Sequence, residues 1–99
     1  MGAAAAAAVI IRKERELVER FREAGATSAS TAKTADALGV HPRLAWERLE
    51  RHAVIRPAAG GAYYLDEPSW EALRRMRRRV ATVVLILFVL FGVVAALMR

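Results

Sequence analysis

The side chains that most often perform chemistry are few in this sequence and are not grouped. His41 and His52 are its two histidines, and they stand at opposite ends of one predicted helix without metal-ligand spacing. There is no cysteine, which excludes disulfides and thiolate metal sites. The remaining candidates are interpreted as helix caps and a hairpin turn, namely Ser28, Ser30, Thr31, Gly60 and Gly61. We therefore expect no catalytic residue, no metal, no cofactor and no enzyme activity.

Basic side chains are more numerous, and their position matters more than their number. The chain carries 16 basic and 10 acidic residues, which gives a net charge of +6. Residues 1–73 hold ten of the basic residues and all ten acidic ones, so this part is neutral. The excess lies in Arg74, Arg75, Arg77, Arg78, Arg79 and Arg99. A neutral domain gives no general indication of nucleic-acid binding, although the whole chain is basic.

An uncharged stretch comes directly after these arginines and has the length of a membrane span. Residues 80–98 contain one hydroxyl, that of Thr82, and otherwise only apolar side chains and glycine. As a helix this stretch would measure about 28 Å, close to the thickness of bilayer hydrocarbon. We predict a single transmembrane helix in the cell inner (plasma) membrane. Within it, Gly92 and Ala96 share one helix face and favour close packing of two spans, which would give a homo-oligomer.

The arginine cluster also predicts orientation and a lipid contact. Five arginines lie within residues 74–79, whereas Arg99 alone lies beyond the span. The positive-inside rule then places the N-terminal part in the cytoplasm. There the cluster would attract anionic lipid headgroups, with about 1 kcal/mol for each arginine near the surface. The membrane-surface residues are Arg74, Arg75, Arg77, Arg78 and Arg79.

Residues 9–73 predict one small domain that is mainly α with one β-hairpin. Residues 1–8 form an Ala-rich lead, interpreted as disordered, as frayed or as a helical extension of the first helix. The first helix is predicted over residues 9–24, and Gly25 ends it. Its apolar stripe consists of Ile10, Leu17, Val18, Phe21 and Ala24.

Two further helices and a hairpin are predicted from caps and turn residues. The second helix covers residues 29–38 with Ser28 as its N-cap, and Gly39 ends it. The third covers residues 42–52, with Pro42 in its first turn. Glycine-rich residues 58–61 then connect two strands. The strands are residues 54–56 and 62–65.

The last predicted helix begins after Asp66, which is a suitable N-cap, and has Pro68 in its first turn. No helix breaker occurs after Pro68, so this helix should continue through the arginines into the membrane. Three aromatic residues, Tyr63, Tyr64 and Trp70, could form an exposed patch. The favoured alternative is that they pack the hairpin against the last helix.

The order of elements over residues 10–73 resembles a winged helix-turn-helix. Ala35 and Gly39 stand where this motif has its small helix residue and its turn glycine, and the hairpin would be the wing. The resemblance implies a common core of Leu17, Phe21, Ala35, Leu38, Val40, Ala45, Leu49 and Ile55. The whole chain is also similar to small bacterial single-pass membrane proteins that join such a domain to a Tyr-Tyr-Leu-Asp strand end, an arginine run and a terminal span. That similarity implies no activity.

Two features depart from DNA-reading members of this family. The third helix is about one turn shorter. Its predicted outer face combines two carboxylates with apolar side chains, whereas DNA readers usually present small polar or basic residues. This face, the candidate partner-binding surface, consists of Arg43, Leu44, Trp46, Glu47, Glu50 and Arg51.

Three functions remain open on the sequence. The favoured hypothesis is a membrane-tethered interaction module that binds a protein partner, or another copy of itself, at the cytoplasmic membrane surface. The alternative is a membrane-anchored winged-helix regulator that binds DNA. The third is a small structural subunit of a membrane complex. The neutral domain favours the first, because DNA readers usually neutralise several phosphates with a basic face.

Overall fold

The computed structural model of the protein describes residues 2–99. Within them, four α-helices and one antiparallel hairpin occur in the order α1 (Gly2–Glu23), α2 (Ala35–Leu38), α3 (Leu44–Arg51), β1 (Ile55–Pro57), β2 (Tyr63–Leu65) and α4 (Glu67–Leu97). Short 3-10 turns occupy Ala29–Thr31 and Ala59–Gly61. A mainly α fold with one hairpin and a long apolar C-terminal helix was predicted, and it is confirmed.

Helix α1 is longer than the spacing of its apolar residues predicted, because it begins at Gly2. The Ala-rich residues are helical, which is the last of the three alternatives for this segment and agrees with the high helix propensity of alanine. Ala24 lies outside the helix and is exposed, contrary to the predicted stripe. Gly25 ends α1 with a φ of 71°, and the Ala26 N–H donates to the Phe21 carbonyl at 2.9 Å.

The second helix was predicted as one element, and this is wrong. Residues 29–38 divide into a 3-10 turn and the short α2, separated by Lys33, which forms an antiparallel bridge with Tyr63. The Lys33 N–H donates to the Tyr63 carbonyl at 2.9 Å, and the Tyr63 N–H donates back at 2.8 Å. The helix is interrupted because these two bonds require extended backbone. Thr34 then caps α2 by accepting from the Ala37 N–H.

The third helix is shorter at its start than predicted. Arg43 is extended, with φ −135° and ψ −162°, so α3 begins at Leu44 and Pro42 precedes it. The core-facing side chains of α3 are Trp46 and Leu49, whereas Ala45 is only half-buried. Ala53 follows the helix end and is exposed.

The hairpin joins the end of α3 to the start of α4. Its register pairs Ile55 with Leu65 and Pro57 with Tyr63. Gly60 and Gly61 lie in the turn at φ 71° and 72°, a region that glycine adopts without steric cost. The Leu65 N–H donates to the Ala26 carbonyl at 2.8 Å, so β2 is also fixed to the loop after α1.

A single apolar core holds these elements together. Tyr63 and half-buried Val40 and Ala35 pack against it. Phe21 and Trp46 meet with ring centroids 5.6 Å apart, and Trp46 meets Tyr63 edge to face at 5.1 Å. Its buried members are Leu17, Val18, Phe21, Ala26, Leu38, Trp46, Leu49, Val54, Ile55, Leu65, Trp70 and Leu73.

Helix α4 begins in the domain and ends far outside it. The Asp66 carboxylate accepts from the Ser69 N–H at 3.3 Å, which is the predicted cap. Trp70 and Leu73 are buried in the core, but every residue from Arg78 onward is exposed. Among residues 2–99, α4 alone is long and apolar enough to cross a membrane, with a mean hydropathy of 3.0 in its most apolar window.

Candidate functional site

The outer side of α3 carries five of the six predicted partner-binding residues. Leu44 is 50% exposed. Its charged neighbours are exposed too, and within residues 2–99 none of them has an ion-pair partner. Their charges cancel. We call this surface the α3 outer face and define it as Arg43, Leu44, Glu47, Glu50 and Arg51.

The sixth predicted residue, Trp46, does not belong to this surface. Its side chain is only 4% exposed, because Phe21 and Tyr63 enclose the indole ring. The prediction that Trp46 lies on the outer face of α3 is therefore wrong, because the side chain belongs to the core. Its spacing from Leu49 is that of two residues on one helix face, which could have indicated a core position.

Two arginines that could have served a DNA reader are engaged within the domain. The Nε atom of Arg48 lies 3.5 Å from the carboxylate of Glu14, at ion-pair distance. The guanidinium of Arg56 lies 3.2 Å from Asp66, and its Nε donates to the Ala53 carbonyl at 3.1 Å. Neither side chain is therefore a free cation. Arg43 and Arg51, the exposed arginines of the α3 outer face, remain as arginines that could contact DNA.

A buried carboxylate on α1 joins three helices, and this role was not predicted from the sequence. Glu14 is fully buried, and its oxygens accept from the Arg77 guanidinium at 2.9 and 3.3 Å. The Nε atom of Arg48 in α3 lies 3.5 Å from the same carboxylate. A buried carboxylate needs such compensation, since loss of hydration is otherwise costly. Glu14 shares a helix face with Leu17, Val18 and Phe21, and this apolar face could have indicated that its carboxylate is buried.

A second contact fixes the direction of α1 relative to α4. Arg22 donates through its Nε to Glu67 at 2.9 Å, and its Nη1 donates to Glu19 at 2.7 Å. The hydrogen bond that Arg22 donates to Glu67, and then the one that it donates to Glu19, raise the pKa of Arg22 above its usual value. Because Arg22 meets Glu67 while the earlier Glu14 meets the later Arg77, the two helices run antiparallel.

The predicted membrane-surface arginines divide into two groups. Arg77 is bonded to Glu14 and is therefore part of the contact between α1 and α4, while its place at the membrane surface stays a prediction. Arg74 lies 3.8 Å from Glu71 and places its guanidinium carbon 5.9 Å from the centre of the Trp70 ring. The other three are exposed or at the edge of the domain and have no ion-pair partner within the described residues; they are Arg75, Arg78 and Arg79.

The arginines of α4 and the start of α1 line a common cleft. It is lined by Ile11 and Arg15 of α1 and by Trp70, Arg74, Arg77 and Arg78 of α4. The cleft therefore brings several guanidinium groups together beside Trp70, which is itself only 3% exposed. Guanidinium groups in such an arrangement attract anions.

Neither a metal-binding cluster nor a known relative adds to these features. Residues 2–99 contain no cluster of histidine and carboxylate groups that could hold a metal ion. His41 and His52 are exposed, and Gly92 and Ala96 lie in the exposed part of α4, where their predicted helix packing stays a prediction. The sequence matches no protein family, and no curated protein or solved structure is significantly similar to it.

Proposed function

We propose that this protein is a membrane-tethered interaction module whose α3 outer face binds another protein, or a second copy, at the cytoplasmic membrane surface. The observation that carries the proposal is the composition of that face, a half-exposed leucine among four exposed charges that cancel. Burial of Leu44 against a protein partner would contribute a favourable free energy of about 25 cal/mol for each Å² of apolar surface removed from water. The free charges around it would supply partner selectivity.

The proposed domain type is a winged helix. Helix α1, the turn between α2 and α3, and the hairpin occur in the order of that fold. The bridge between Lys33 and Tyr63 adds a third short strand segment on the free side of β2, which supports the assignment. The proposal includes a bacterial inner membrane and a cytoplasmic N-terminal domain; the arginines that precede residue 80 support this orientation.

The position of α3 relative to the bilayer supports a protein partner. Glu14 contacts Arg48 of α3 and also Arg77 of α4, which stands three residues before the apolar stretch. That interval is about 4.5 Å of helix. The α3 outer face therefore belongs to a domain held close to anionic lipid, a surface that repels duplex DNA and is accessible to another membrane protein.

Site-specific photo-crosslinking of the full-length chain in its native membranes tests the proposed partner face. A benzophenone amino acid at Leu44 should give a discrete adduct, either with one other protein or with a second copy. The matched control is the same amino acid at Ala37, which is exposed on α2. A second substitution, Glu47→Lys, should weaken the Leu44 adduct. Equal labelling from both positions, or none from Leu44, would contradict the proposal.

A DNA-binding regulator is the second candidate, because the helix-turn-helix order and the exposed Arg43 and Arg51 are compatible with it. Arg48 and Arg56 are already engaged with carboxylates, which weakens this candidate. The full-length chain in lipid nanodiscs should bind duplex DNA no more tightly than about 10 µM at physiological salt, a typical non-specific strength. A sub-micromolar, sequence-selective complex that is lost in Arg43→Ala would favour the regulator.

Orientation has its own test. A reporter that is active only outside the cytoplasm, fused after Arg99, should be active. Protease added to inside-out vesicles should remove the N-terminal domain. If the reporter is inactive and the domain is protected, the proposed topology is wrong.

A further inference from the structure

The N-terminal part of α1 carries an apolar surface that the fold leaves uncovered. Residues 2–11 contain only glycine, alanine, valine and isoleucine, and all of these except Ile10 are exposed. Val9 is 43% and Ile11 is 38% exposed. The segment is helical throughout, so its uncharged character extends around the whole helix.

The direction of α1 brings this segment toward the same side of the molecule as the span. Arg22 meets Glu67, Glu14 meets Arg77, and Ile11 lines a cleft with Arg78. Positions toward the start of α1 thus lie beside positions progressively later in α4. From Ile11 to Gly2, α1 continues for about 14 Å in that direction.

Both helices change from charged to apolar at the same level. On α4 the last arginine before the apolar stretch is Arg79, and on α1 the uncharged segment ends where Arg12 and Lys13 begin. Arg15 and Arg74 line one cleft, so the basic residues of α1 and α4 are neighbours. Two adjacent helices with one shared boundary between basic and apolar residues match the boundary between lipid headgroups and acyl chains.

We propose that residues 2–11 of α1 insert beside the span into the bilayer leaflet where the span begins, so that the protein contacts lipid through two helices. This inference rests on the proposed span. The occupant of the uncovered surface is lipid, because the segment continues the apolar surface of α4 beyond the same ring of arginines. Counted from the shared boundary, the segment reaches about 14 Å and so stays within one leaflet of a hydrocarbon layer about 30 Å thick.

The chain has no cysteine, so single cysteine variants of the full-length protein provide the test. Ala5→Cys reports the segment, Leu87→Cys the span, and Ala59→Cys the hairpin turn, which is exposed. Each is labelled with an environment-sensitive fluorophore and reconstituted into vesicles of phosphatidylcholine and phosphatidylglycerol. Lipids with a nitroxide at a shallow or a deep acyl position then quench from the bilayer, and iodide quenches from water. Circular dichroism verifies that the helix content is unchanged.

The expected result is that Ala5→Cys is quenched by the acyl-chain nitroxides and protected from iodide, whereas Ala59→Cys behaves in the opposite way. Leu87→Cys should respond to the deep nitroxide. If Ala5→Cys is as accessible to iodide as Ala59→Cys while Leu87→Cys is protected, the inference fails and the span stands. If Leu87→Cys is also accessible, the span itself fails. Protection at Ala5→Cys that disappears on dilution with excess lipid would mean that a second copy covers the segment, which also overturns the inference.

Discussion

The first third of α4 and its remaining two thirds place apolar side chains in opposite environments. In residues 67–77 the apolar Trp70 and Leu73 are buried in the domain, and the exposed positions include Glu71, Arg74 and Arg75. In residues 80–97 every position is exposed, and Thr82 has the one polar side chain. The backbone continues without a break between them. The first part of α4 is therefore suited to a folded domain in water and the second part to lipid, and the arginines mark the boundary between the two parts.

This difference shows that the same residue type has different consequences in each part of α4. An aromatic ring in the first part is removed from water when the domain folds. A ring in the second part has no protein neighbour to lose and would face lipid whether or not the domain is folded. Stability and membrane attachment should therefore respond to different substitutions.

The largest expected effect is on the free energy of unfolding of the domain when Trp70 is truncated. Trp70 is 3% exposed and belongs to the apolar core, so Trp70→Ala should cost about 3–5 kcal/mol. Phe88→Ala, in the exposed part of the same helix, should leave this free energy nearly unchanged. Urea unfolding of the full-length chain in detergent micelles measures both. Similar losses in the two variants would mean that α4 does not contain two independent regions.

A smaller effect is expected where the two regions meet. Glu14→Gln preserves shape but removes the charge that Arg77 and Arg48 contact, which should cost about 1–3 kcal/mol, typical of a charged hydrogen bond. Glu16→Gln is the matched control, because Glu16 lies on the same helix in an exposed ion pair with Arg12 at 3.8 Å. It should cost roughly 0.5 kcal/mol or less. If both variants lose equal stability in the same urea experiment, Glu14 has no special role in joining α1 to α4.

Much of the fold was predictable because the determining interactions are local. The Asp66 cap, the glycine turn and the uninterrupted apolar stretch each depend on neighbours within a few residues. Their sequence patterns therefore indicated the hairpin and α4 directly. The start of α1 was less well predicted, since six consecutive alanines favour a helix by propensity and carry no periodicity.

The errors involve partners that are distant in the sequence. The second helix is interrupted because Lys33 pairs with Tyr63, and no residue near Lys33 indicates that pairing. Trp46 is buried because Phe21 and Tyr63 enclose it. Glu14 meets Arg77 across 63 residues of sequence. Five of the six residues predicted for the candidate surface are nevertheless exposed there, because exposure of a short helix follows from its period once one buried residue is known.

Glycines provide a finer comparison between the domain and the exposed part of α4. Gly39 ends α2 with a φ of 71°, and a Cβ there would make only an ordinary contact with Arg20 at 3.9 Å. The cost of Gly39→Ala is therefore conformational, about 1 kcal/mol or slightly more. Gly92 is helical, so Gly92→Ala should not alter the unfolding free energy of the domain. A Gly39→Ala protein as stable as the parent in urea would show that the turn relaxes without penalty.

The smallest expected effect concerns association between copies through the exposed part of α4. A Cβ added at Gly92 would meet no atom within 4 Å, so this position is open in the single chain and available to a neighbouring helix. Together with Ala96 it provides a face on which two backbones can approach closely, and a large β-branched side chain would separate them. Gly92→Ile should therefore reduce the dimer signal several-fold in a two-hybrid assay within the membrane. Val94→Ile, on roughly the opposite face, should leave it unchanged. Because this part of α4 is exposed along its whole length, neither variant should change the urea midpoint of the domain. If Gly92→Ile and Val94→Ile give equal dimer signals, the small-residue face does not mediate association, and any pairing of copies would have to occur through the α3 outer face.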